Sequence, residues 1–416
     1  MQLPPLPAGV LQRIFDSIGD NTSNPDSLPS TYRRTGLKSW CHVCKAWRPV
    51  AQSVLYREVN IDVNSLRRAR FLVFLNENPS IAVHIRKLSI ARDGTDFARP
   101  AFPIYPSFLL KLFAALPKLR ELGLFHVVLG GWPRFVPLPT THWVKLDTLT
   151  LVNPGFTLNN GTERRRLFDF LKLFEVDKLS IAGDQRRELP GLVTHVFYGH
   201  APLPAVRELD LYGGSPLLTI TEWMGGLDPQ RLCSVRLEPI RPKHLLYMGH
   251  LLRRYGRSIR SLGLYAGQVL AQRHSDKSFS MDVWKSIDLG ACPHLRSLRL
   301  YWAYGWRGNW SSEQDALYSE VYQDILSRTS ASATLHELDI VVLLSGDPPT
   351  AFDSMPANLA PVIEHALEKH CHLHRITVEI SECLDLEKAL EIMRGVLPQS
   401  VMDSSLLHFK ANYESC

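Results

Sequence analysis

The residues whose types and spacing could bind a metal ion form two clusters in this 416-residue chain. Residues 370–374 contain three histidines that alternate with a cysteine and a leucine, and strand alternation would place the histidines on one side. Cys41 and Cys44 form a Cys-x-x-Cys pair, but a zinc site of this type uses a second, matching pair, which the sequence lacks. We interpret the histidines as facing solvent and the cysteines as packing residues, and we predict no metal and no cofactor.

The sequence also lacks the motifs of established catalytic sites. It contains no Gly-x-Gly-x-x-Gly loop, no Walker loop, no Gly-x-Ser-x-Gly and no His-Glu-x-x-His. We therefore expect a binding protein rather than an enzyme, and we predict no catalytic residue. The alternative from a different class is a metal- or nucleic-acid-dependent enzyme, which would need a clustered polar site in a pocket.

The elements that would position a binding site begin with short helices in residues 6–61. An apolar stripe follows Pro7, whose fixed φ suits the first turn of a helix. A second apolar run ends at Trp47 before Pro49, and a third run follows this proline. The residues of the first stripe are Val10, Leu11, Ile14, Phe15 and Ile18. Periodicity alone is also compatible with an ordinary three-helix cap on a larger domain.

Three segments of this region together resemble an F-box, the helical motif that docks proteins on the Skp adaptor of a cullin-type ubiquitin ligase. They are Leu6–Phe15, Cys41–Arg48 and Leu55–Val59. The resemblance implies that the adaptor contacts the apolar motif positions, although some of them must instead hold the three helices together. These adaptor-binding positions are Leu6, Pro7, Val10, Leu11, Ile14, Phe15, Val43, Cys44 and Trp47.

Beyond a predicted linking helix at Ser65–Asn78, the pattern apolar-x-x-apolar-x-apolar recurs ten times at spacings of 26 to 40 residues. Alternation within each repeat predicts a strand, and a helix or an irregular segment fits between repeats. The repeats begin at Ile85, Leu119, Leu146, Val176, Val206, Leu232, Ile259, Leu295, Leu335 and Leu373. Such periodicity is typical of a solenoid, and the pattern resembles leucine-rich repeats. An ordinary α/β sheet built from βα units is the alternative.

We therefore predict an α/β chain in which a short three-helix F-box precedes an irregular leucine-rich-repeat solenoid, a horseshoe. The predicted domains are the F-box at 1–62, the linking helix at 63–80, and the repeat domain with a C-terminal cap at 81–416. In such a horseshoe, the third, fifth and seventh residues of each repeat point away from the leucine core.

The predicted target-binding residues come from this face and from the aromatic segment Tyr301–Trp310, which follows a repeat strand. They are Phe125, Tyr212, Arg236, Tyr265, Arg299, Tyr301, Trp306 and Trp310. Aromatic side chains on an open face suit protein recognition. The aromatic segment itself could clamp a partner or cover the edge of the stack.

Charge and composition limit the other functions. The formal net charge of +6 lies within residues 1–90, and the rest of the chain is balanced. The arginine runs at 67–70 and 164–166 are not interleaved with stacking aromatics, which argues against nucleic acid. No run approaches the ~18 apolar residues that cross a membrane. Seven scattered cysteines and a start without signal-peptide character predict a cytoplasmic and/or nuclear protein.

The arrangement of an F-box before repeats looks like that of the F-box/leucine-rich-repeat proteins of fungi. This resemblance implies a function as a substrate receptor. The F-box would dock the Skp adaptor and through it a cullin-RING ligase, while the repeat domain binds an unknown target protein. Because the RING partner and a charged E2 enzyme transfer ubiquitin, this chain would contribute only proximity and orientation. The alternative is a protein-interaction scaffold with the same F-box and repeats but no role in ubiquitination.

Overall fold

The computed structural model of the chain is a mixed α/β fold with a large parallel sheet. It divides into two compact units, Met1–Leu179 and Ser180–Cys416. The residues that the structure describes are 9–10, 13, 47–62, 65–92, 103–130, 144–153, 155–156, 170–183, 206–212, 230–239, 241–272, 281–304, 312–329, 335–344, 355–381, 391, 397 and 405–412.

The helices and strands of the first unit alternate along the chain. They are α1 (Trp47–Leu55), β1 (Glu58–Asp62), α2 (Ser65–Glu77), α3 (Pro79–Ala82), β2 (Lys87–Ala91), β3 (Pro103–Ile104), α4 (Pro106–Ala115), β4 (Glu121–Phe125), β5 (Val128–Leu129), β6 (Val144–Val152) and β7 (Gly155–Phe156). Strand β8 (Phe174–Ala182) crosses the boundary between the two units. The linking helix predicted at Ser65–Asn78 is confirmed as α2, which ends one residue earlier, and Pro79 opens the short α3.

Strands β1, β2, β4 and β6 of the first unit pair in this order, and all pairs are parallel. Strands β3, β5 and β7 form a second, small parallel ladder. Helix α1 precedes β1 and buries Ala51 completely, with Trp47 and Val54 packed against it. The first unit is therefore built from parallel strands with helices in the connections, as parallel pairing requires.

The second unit continues the same alternation. Its elements are β9 (Glu208–Tyr212), β10 (Ser234–Glu238), α5 (Pro242–Tyr255), β11 (Ser261–Tyr265), α6 (Gly267–Gln272), β12 (Ser297–Tyr304), α7 (Ser312–Ser327), β13 (Glu337–Leu344), α8 (Met355–Lys369), β14 (Arg375–Ser381) and β15 (Leu407–Asn412). Two 3₁₀ helices, Met281–Ser286 and Leu289–Ala291, lie between α6 and β12. Strands β9 to β15 pair in chain order, and all pairs are parallel.

Every one of the ten sequence repeats contains a strand, which confirms that part of the sequence-based prediction. In eight repeats the strand begins two residues after the first apolar residue, as at Leu232 and Ser234. In β6 and β8 the strand begins two residues before it. The fourth and sixth residues of every repeat are at most 3% exposed, as Leu298 and Leu300 illustrate. Burial of each such leucine stabilises the fold by about 1.5–3 kcal/mol, which explains the strict apolar pattern.

Two described strands of the large sheet lie outside the ten repeats. Strand β1 falls within residues 1–62, which the sequence assigned to the F-box, and it pairs with β2 in register from Glu58 and Lys87 onward. Strand β15 pairs with β14 at the other end, with Leu407 opposite Ile376. The ladder of strands is therefore longer than the repeat pattern at both ends.

Candidate functional site

The third, fifth and seventh residues of the repeats form an open face on the strands of the second unit. Strand β10 shows the pattern, since Ser234, Arg236 and Glu238 are partly exposed while the two residues between them are buried. Because the strands pair without a slip in register, equivalent residues stand side by side in columns. The seventh-position column contains Tyr212, Glu238, Tyr265, Tyr301, Val341 and Glu379.

Two tyrosines of this column form an aromatic pair. The ring centroids of Tyr265 and Tyr301 are 5.7 Å apart, with an angle of 45° between the ring planes. The backbone carbonyl of Tyr301 accepts a hydrogen bond from the Tyr322 hydroxyl on α7. Burial raises the pKa of Tyr301, so its phenol stays protonated and can donate a hydrogen bond at neutral pH. This pair gives the face a rigid apolar surface with polar tips, a combination common in protein interfaces.

Trp302, the residue after Tyr301, packs strand β12 against the hydrophobic core. The Trp302 side chain is completely buried, and it stacks on Tyr318 at 5.1 Å with an interplanar angle of 15°. The Tyr322 ring packs edge-on against it at 5.8 Å. Trp302, the second residue of the aromatic segment Tyr301–Trp310, is therefore part of the hydrophobic core. Strand β12 extends through the first four residues of this segment.

Arg236 lies between two polar partners on the neighbouring strand. Its Nη1 donates a hydrogen bond to the Tyr212 hydroxyl at 3.2 Å, and its Nε lies 4.0 Å from the Asp210 carboxylate. The side chain needs space above β11, and glycine provides it at position 263. A Cβ atom on Gly263 would lie only 2.9 Å from Cγ of Arg236. The glycine thus lets the guanidinium lie flat on the open face.

Arg299 forms a long-range ion pair across the face. Its guanidinium binds the Glu379 carboxylate, which belongs to a strand two positions away and is only 3% exposed. The same guanidinium lies 5.7 Å from the Tyr301 ring centroid, within cation–π range. The Lys410 ammonium is 4.0 Å from the same carboxylate. Charge-assisted hydrogen bonding of this type orders the side chains of the face.

Glu238 is the titratable group of this face in the neutral pH range. It stands beside Tyr212 in the register of β9 and β10. Burial raises the pKa of its carboxyl to about 7. The face therefore gains negative charge as the pH rises through neutrality, close to the tyrosines that could contact a partner.

Apart from Val10 and Trp47, the residues predicted from the sequence fall into three groups. Tyr212, Arg236, Tyr265, Arg299 and Tyr301 lie together on the open face of the second unit, as described above. Phe125 occupies the equivalent position in the first unit, where it is half-buried and its ring covers Gly123. The others lie outside the described residues, and for them the prediction stays a prediction: Leu6, Pro7, Leu11, Ile14, Phe15, Val43, Cys44, Trp306 and Trp310.

Two of the predicted adaptor-binding residues are described. Val10 is helical and 42% exposed, while Trp47 packs against the buried Ala51 in α1. Exposure leaves Val10 available to a partner. The packing of Trp47 fits a residue that holds its own helix in place.

The histidines at 370–374 do not share one side, so this expectation was wrong. His370 closes α8, is 7% exposed, and its Nε2 lies 3.2 Å from the Thr329 hydroxyl. Burial lowers the pKa of His370 to about 4, with Lys369 and His365 adding to the effect. His374 instead contacts the ring of His336 at 5.0 Å. The strand begins only at Arg375, so strand alternation does not apply to the three histidines.

Sequence analysis missed the acidic partners on this face. Asp210 and Glu379 occupy the predicted outward positions, yet they were not chosen as site residues. The available signal was charge complementarity, since Asp210 and Arg236 hold the same position in successive repeats. The pairing of Arg299 with Glu379 had no such signal, because the two residues are 80 positions apart.

No family model matches the sequence, and no curated protein matches it either. Within the described part of the chain, no group of three or more histidine, cysteine or acidic residues could hold a metal ion. None of the described helices is both long enough and apolar enough to cross a membrane.

Proposed function

We propose that this chain is the substrate-recognition subunit of an SCF-type cullin-RING ubiquitin ligase. In this proposal the N-terminal segment is a three-helix F-box that docks the Skp adaptor. The strands that follow form a leucine-rich-repeat horseshoe whose open face binds a target protein. The chain contributes no catalytic group of its own, and it works in the cytosol or the nucleus with its ligase.

The open face of the second unit is the observation that most supports a protein partner. It presents paired tyrosines, arginines and carboxylates on a ladder of parallel strands, and its charges are mixed in sign. Tyrosine and arginine are the residue types enriched where binding energy concentrates in protein interfaces. A polyanion would require an excess of positive charge, which this face does not have.

The leucine-rich-repeat assignment draws support from the packing of the repeats. Each repeat contributes one parallel strand, and its leucines are buried against adjacent repeats, so stability accumulates along the ladder. The F-box assignment draws its support from the sequence resemblance, together with a helix at Trp47–Leu55. Exposed Val10 is compatible with a partner on the preceding helix.

Co-purification with a Skp adaptor tests the proposal. The variant Leu11→Asp, Phe15→Asp places two charges on the apolar stripe that the F-box assignment gives to the adaptor. We expect the intact chain to capture the adaptor and the double variant to lose capture by about tenfold or more, because buried charge opposes docking. Circular dichroism and thermal unfolding verify that the strand-rich part stays folded.

The control variant for this experiment is Val73→Asp. Val73 is an apolar residue of α2 that is 53% exposed and lies outside the F-box segments, so it carries the same type of change without the assigned contact. Adaptor capture by the control and not by the double variant supports the ligase assignment. Absence of capture by the intact chain would contradict it.

The second candidate is a protein-interaction scaffold without a role in ubiquitination. Gly9 and the long segment Asn21–Gly36 favour it, because glycine weakens the first helix by about 1 kcal/mol and the segment separates the first two apolar runs. Depletion of the protein distinguishes the two candidates. If the chain is a ligase subunit, its depletion lowers the ubiquitination of the target. If it is a scaffold, its depletion leaves ubiquitination unchanged.

A further inference from the structure

A second polar site lies at the edge of the second unit where strands β9 to β12 begin. It is an open pocket of about 780 Å³, which we call the strand-start pocket. Six arginines line it, and no acidic residue among the described ones does so. They are Arg207, Arg231, Arg254, Arg257, Arg260 and Arg296.

The repeat structure itself brings three of these arginines together. Arg207, Arg260 and Arg296 each occupy the second position of a repeat, immediately before the strand. The amide of Arg296 donates to the carbonyl of Arg260 at 2.8 Å, which aligns the two backbones at the strand starts. Because neighbouring strands are about 4.8 Å apart, equivalent side chains in this column must lie close together.

The opposite wall of the pocket is held in place by the end of α5. The Ser258 hydroxyl donates to the carbonyl of Leu232 at 2.7 Å, which ties this wall to the start of β10. Gly256 lies against the backbone of Ala291, so closely that a Cβ atom would come within 2.2 Å of its carbonyl oxygen. These contacts hold the turn that follows α5 in place, and with it Arg254 and Arg257, which lie on either side of Gly256.

Two of the pocket arginines have no acidic residue beside them in the described lining. Arg260 and Arg296 are exposed, and no carboxylate lines the pocket next to them. The first unit differs at the same repeat position. There the Arg120 guanidinium lies 3.5 Å from the carboxylate of Asp147, which occupies the second position of the next repeat. The pocket therefore concentrates positive charge that the equivalent column of the first unit neutralises.

A buried tyrosine also lines the pocket. Tyr255 is 1% exposed, and the Arg254 guanidinium carbon lies 5.8 Å from the centroid of its ring. This cation–π contact orders Arg254 at the wall of the pocket.

We infer that the strand-start pocket binds an anionic peptide segment, with clustered carboxylates or phosphates on its side chains. Arginine presents a planar fork that matches both groups with two parallel hydrogen bonds, and the pocket contains arginines without any lysine. Its bounded volume suits a few side chains rather than a long nucleic acid. Its tyrosine, Tyr255, is buried, and the one other ring in the described lining is the imidazole of His294, so the pocket has no row of aromatic side chains on which successive bases could stack.

This inference is independent of the proposed ligase function. The pocket uses second-position residues at the start of the strands, whereas the open face uses the third, fifth and seventh positions. If the chain is a substrate receptor, the pocket gives the target a second point of attachment, and a scaffold could use it equally well.

Fluorescence anisotropy with synthetic peptides tests the inference on the full chain. The labelled probes are three 12-residue peptides: alternating Glu and Ser, alternating Gln and phosphoserine, and alternating Gln and Ser as the neutral reference. The variant Arg260→Ala, Arg296→Ala removes two guanidinium groups. We expect the anionic peptides to bind and the double variant to weaken their affinity about tenfold or more, since each charge-assisted bond contributes strongly.

The matched control is Arg86→Ala, Arg120→Ala, which removes the same charge at the same repeat position in the first unit. We expect this control to change the affinity by less than about twofold. The single substitution Arg257→Ala, at an exposed arginine, tests the other wall of the pocket. Binding of one anionic peptide but not the other identifies the source of negative charge.

Three outcomes would overturn the inference. The first is equal affinity for the neutral and anionic peptides. The second is an affinity that Arg260→Ala, Arg296→Ala and the matched control reduce equally, which would indicate nonspecific attraction. The third is tighter binding of a 12-nucleotide single strand through the same arginines, which would assign the pocket to nucleic acid instead.

Discussion

The open face and the strand-start pocket use the same strands and the same residue type in opposite ways. On the open face, Arg236 binds Tyr212 and approaches Asp210, and Arg299 binds Glu379. In the pocket, the second-position arginines of adjoining repeats stand together with no acidic residue among the described lining. One region places its arginines beside carboxylates, while the described lining of the other contains arginines and no carboxylate.

This difference separates two roles for arginine in a repeat protein. Internal ion pairs on the open face fix the shape of the surface, so a partner meets an organised set of side chains and loses less free energy to ordering. Exposed arginines contribute little to folding, but they attract anions over several ångströms. We therefore expect changes on the face to affect stability and changes in the pocket to affect binding.

The largest expected effect follows from Arg299→Ala. The substitution removes the Arg299 guanidinium from the Glu379 carboxylate, which is 3% exposed. We expect the free energy of unfolding to fall by about 3 kcal/mol, because removing one partner of a buried ion pair is costly. Urea unfolding measures the change.

Arg296→Ala is the control for this prediction, since it removes an arginine three residues earlier in the same segment. Its side chain is exposed at the pocket, so we expect a change within about 0.5 kcal/mol. Equal destabilisation by the two substitutions would remove the distinction between the two regions.

Glu238→Gln is expected to have an effect of intermediate size that depends on pH. The folded-state pKa of about 7 lies above the ordinary value of 4.5, so the folded protein prefers the protonated carboxyl. The stability of the unsubstituted protein should therefore fall as the pH rises from about 4.5 through 7, by about 2 kcal/mol. The variant should lack this decline. The free energy of unfolding is measured at pH 5 and pH 8 for both proteins. An equal decline in the variant and in the unsubstituted protein would show that Glu238 is not responsible.

The smallest of these effects belongs to Gly263→Ala. The new methyl group would lie 2.9 Å from Cγ of Arg236, so the arginine side chain must shift, which disturbs its hydrogen bond to Tyr212. We expect a loss of about 1 kcal/mol in the free energy of unfolding. Ser261→Ala, on the same strand and the same face, should change it by less than about 0.5 kcal/mol. A neutral Gly263→Ala would mean that Arg236 does not need the space above this glycine.

The strands were predictable because each repeat carries its own local signal. Leu232, Val235 and Leu237 satisfy the apolar pattern, and β10 lies where that pattern places it. Strand β15 gave no such signal, since Ser404 stands where its repeat would need the first apolar residue. Strand β1 does follow Tyr56 with the right spacing, but its segment also fits the F-box resemblance, and tertiary pairing with β2 decided its structure.

The sequence by itself determined the strand positions and the two faces of each strand, because burial of alternate residues is a local, period-two requirement. It also determined which side chains could point outward, including Arg236, Arg299 and Tyr301. Only the tertiary structure decided which arginine met an acid. Arg299 and Glu379 are 80 residues apart in sequence and adjacent in space, while Arg260 and Arg296 stand at the starts of neighbouring strands with no acidic residue in the described lining of their pocket. Charge pairing depends on distance in three dimensions, and a linear pattern does not contain that distance.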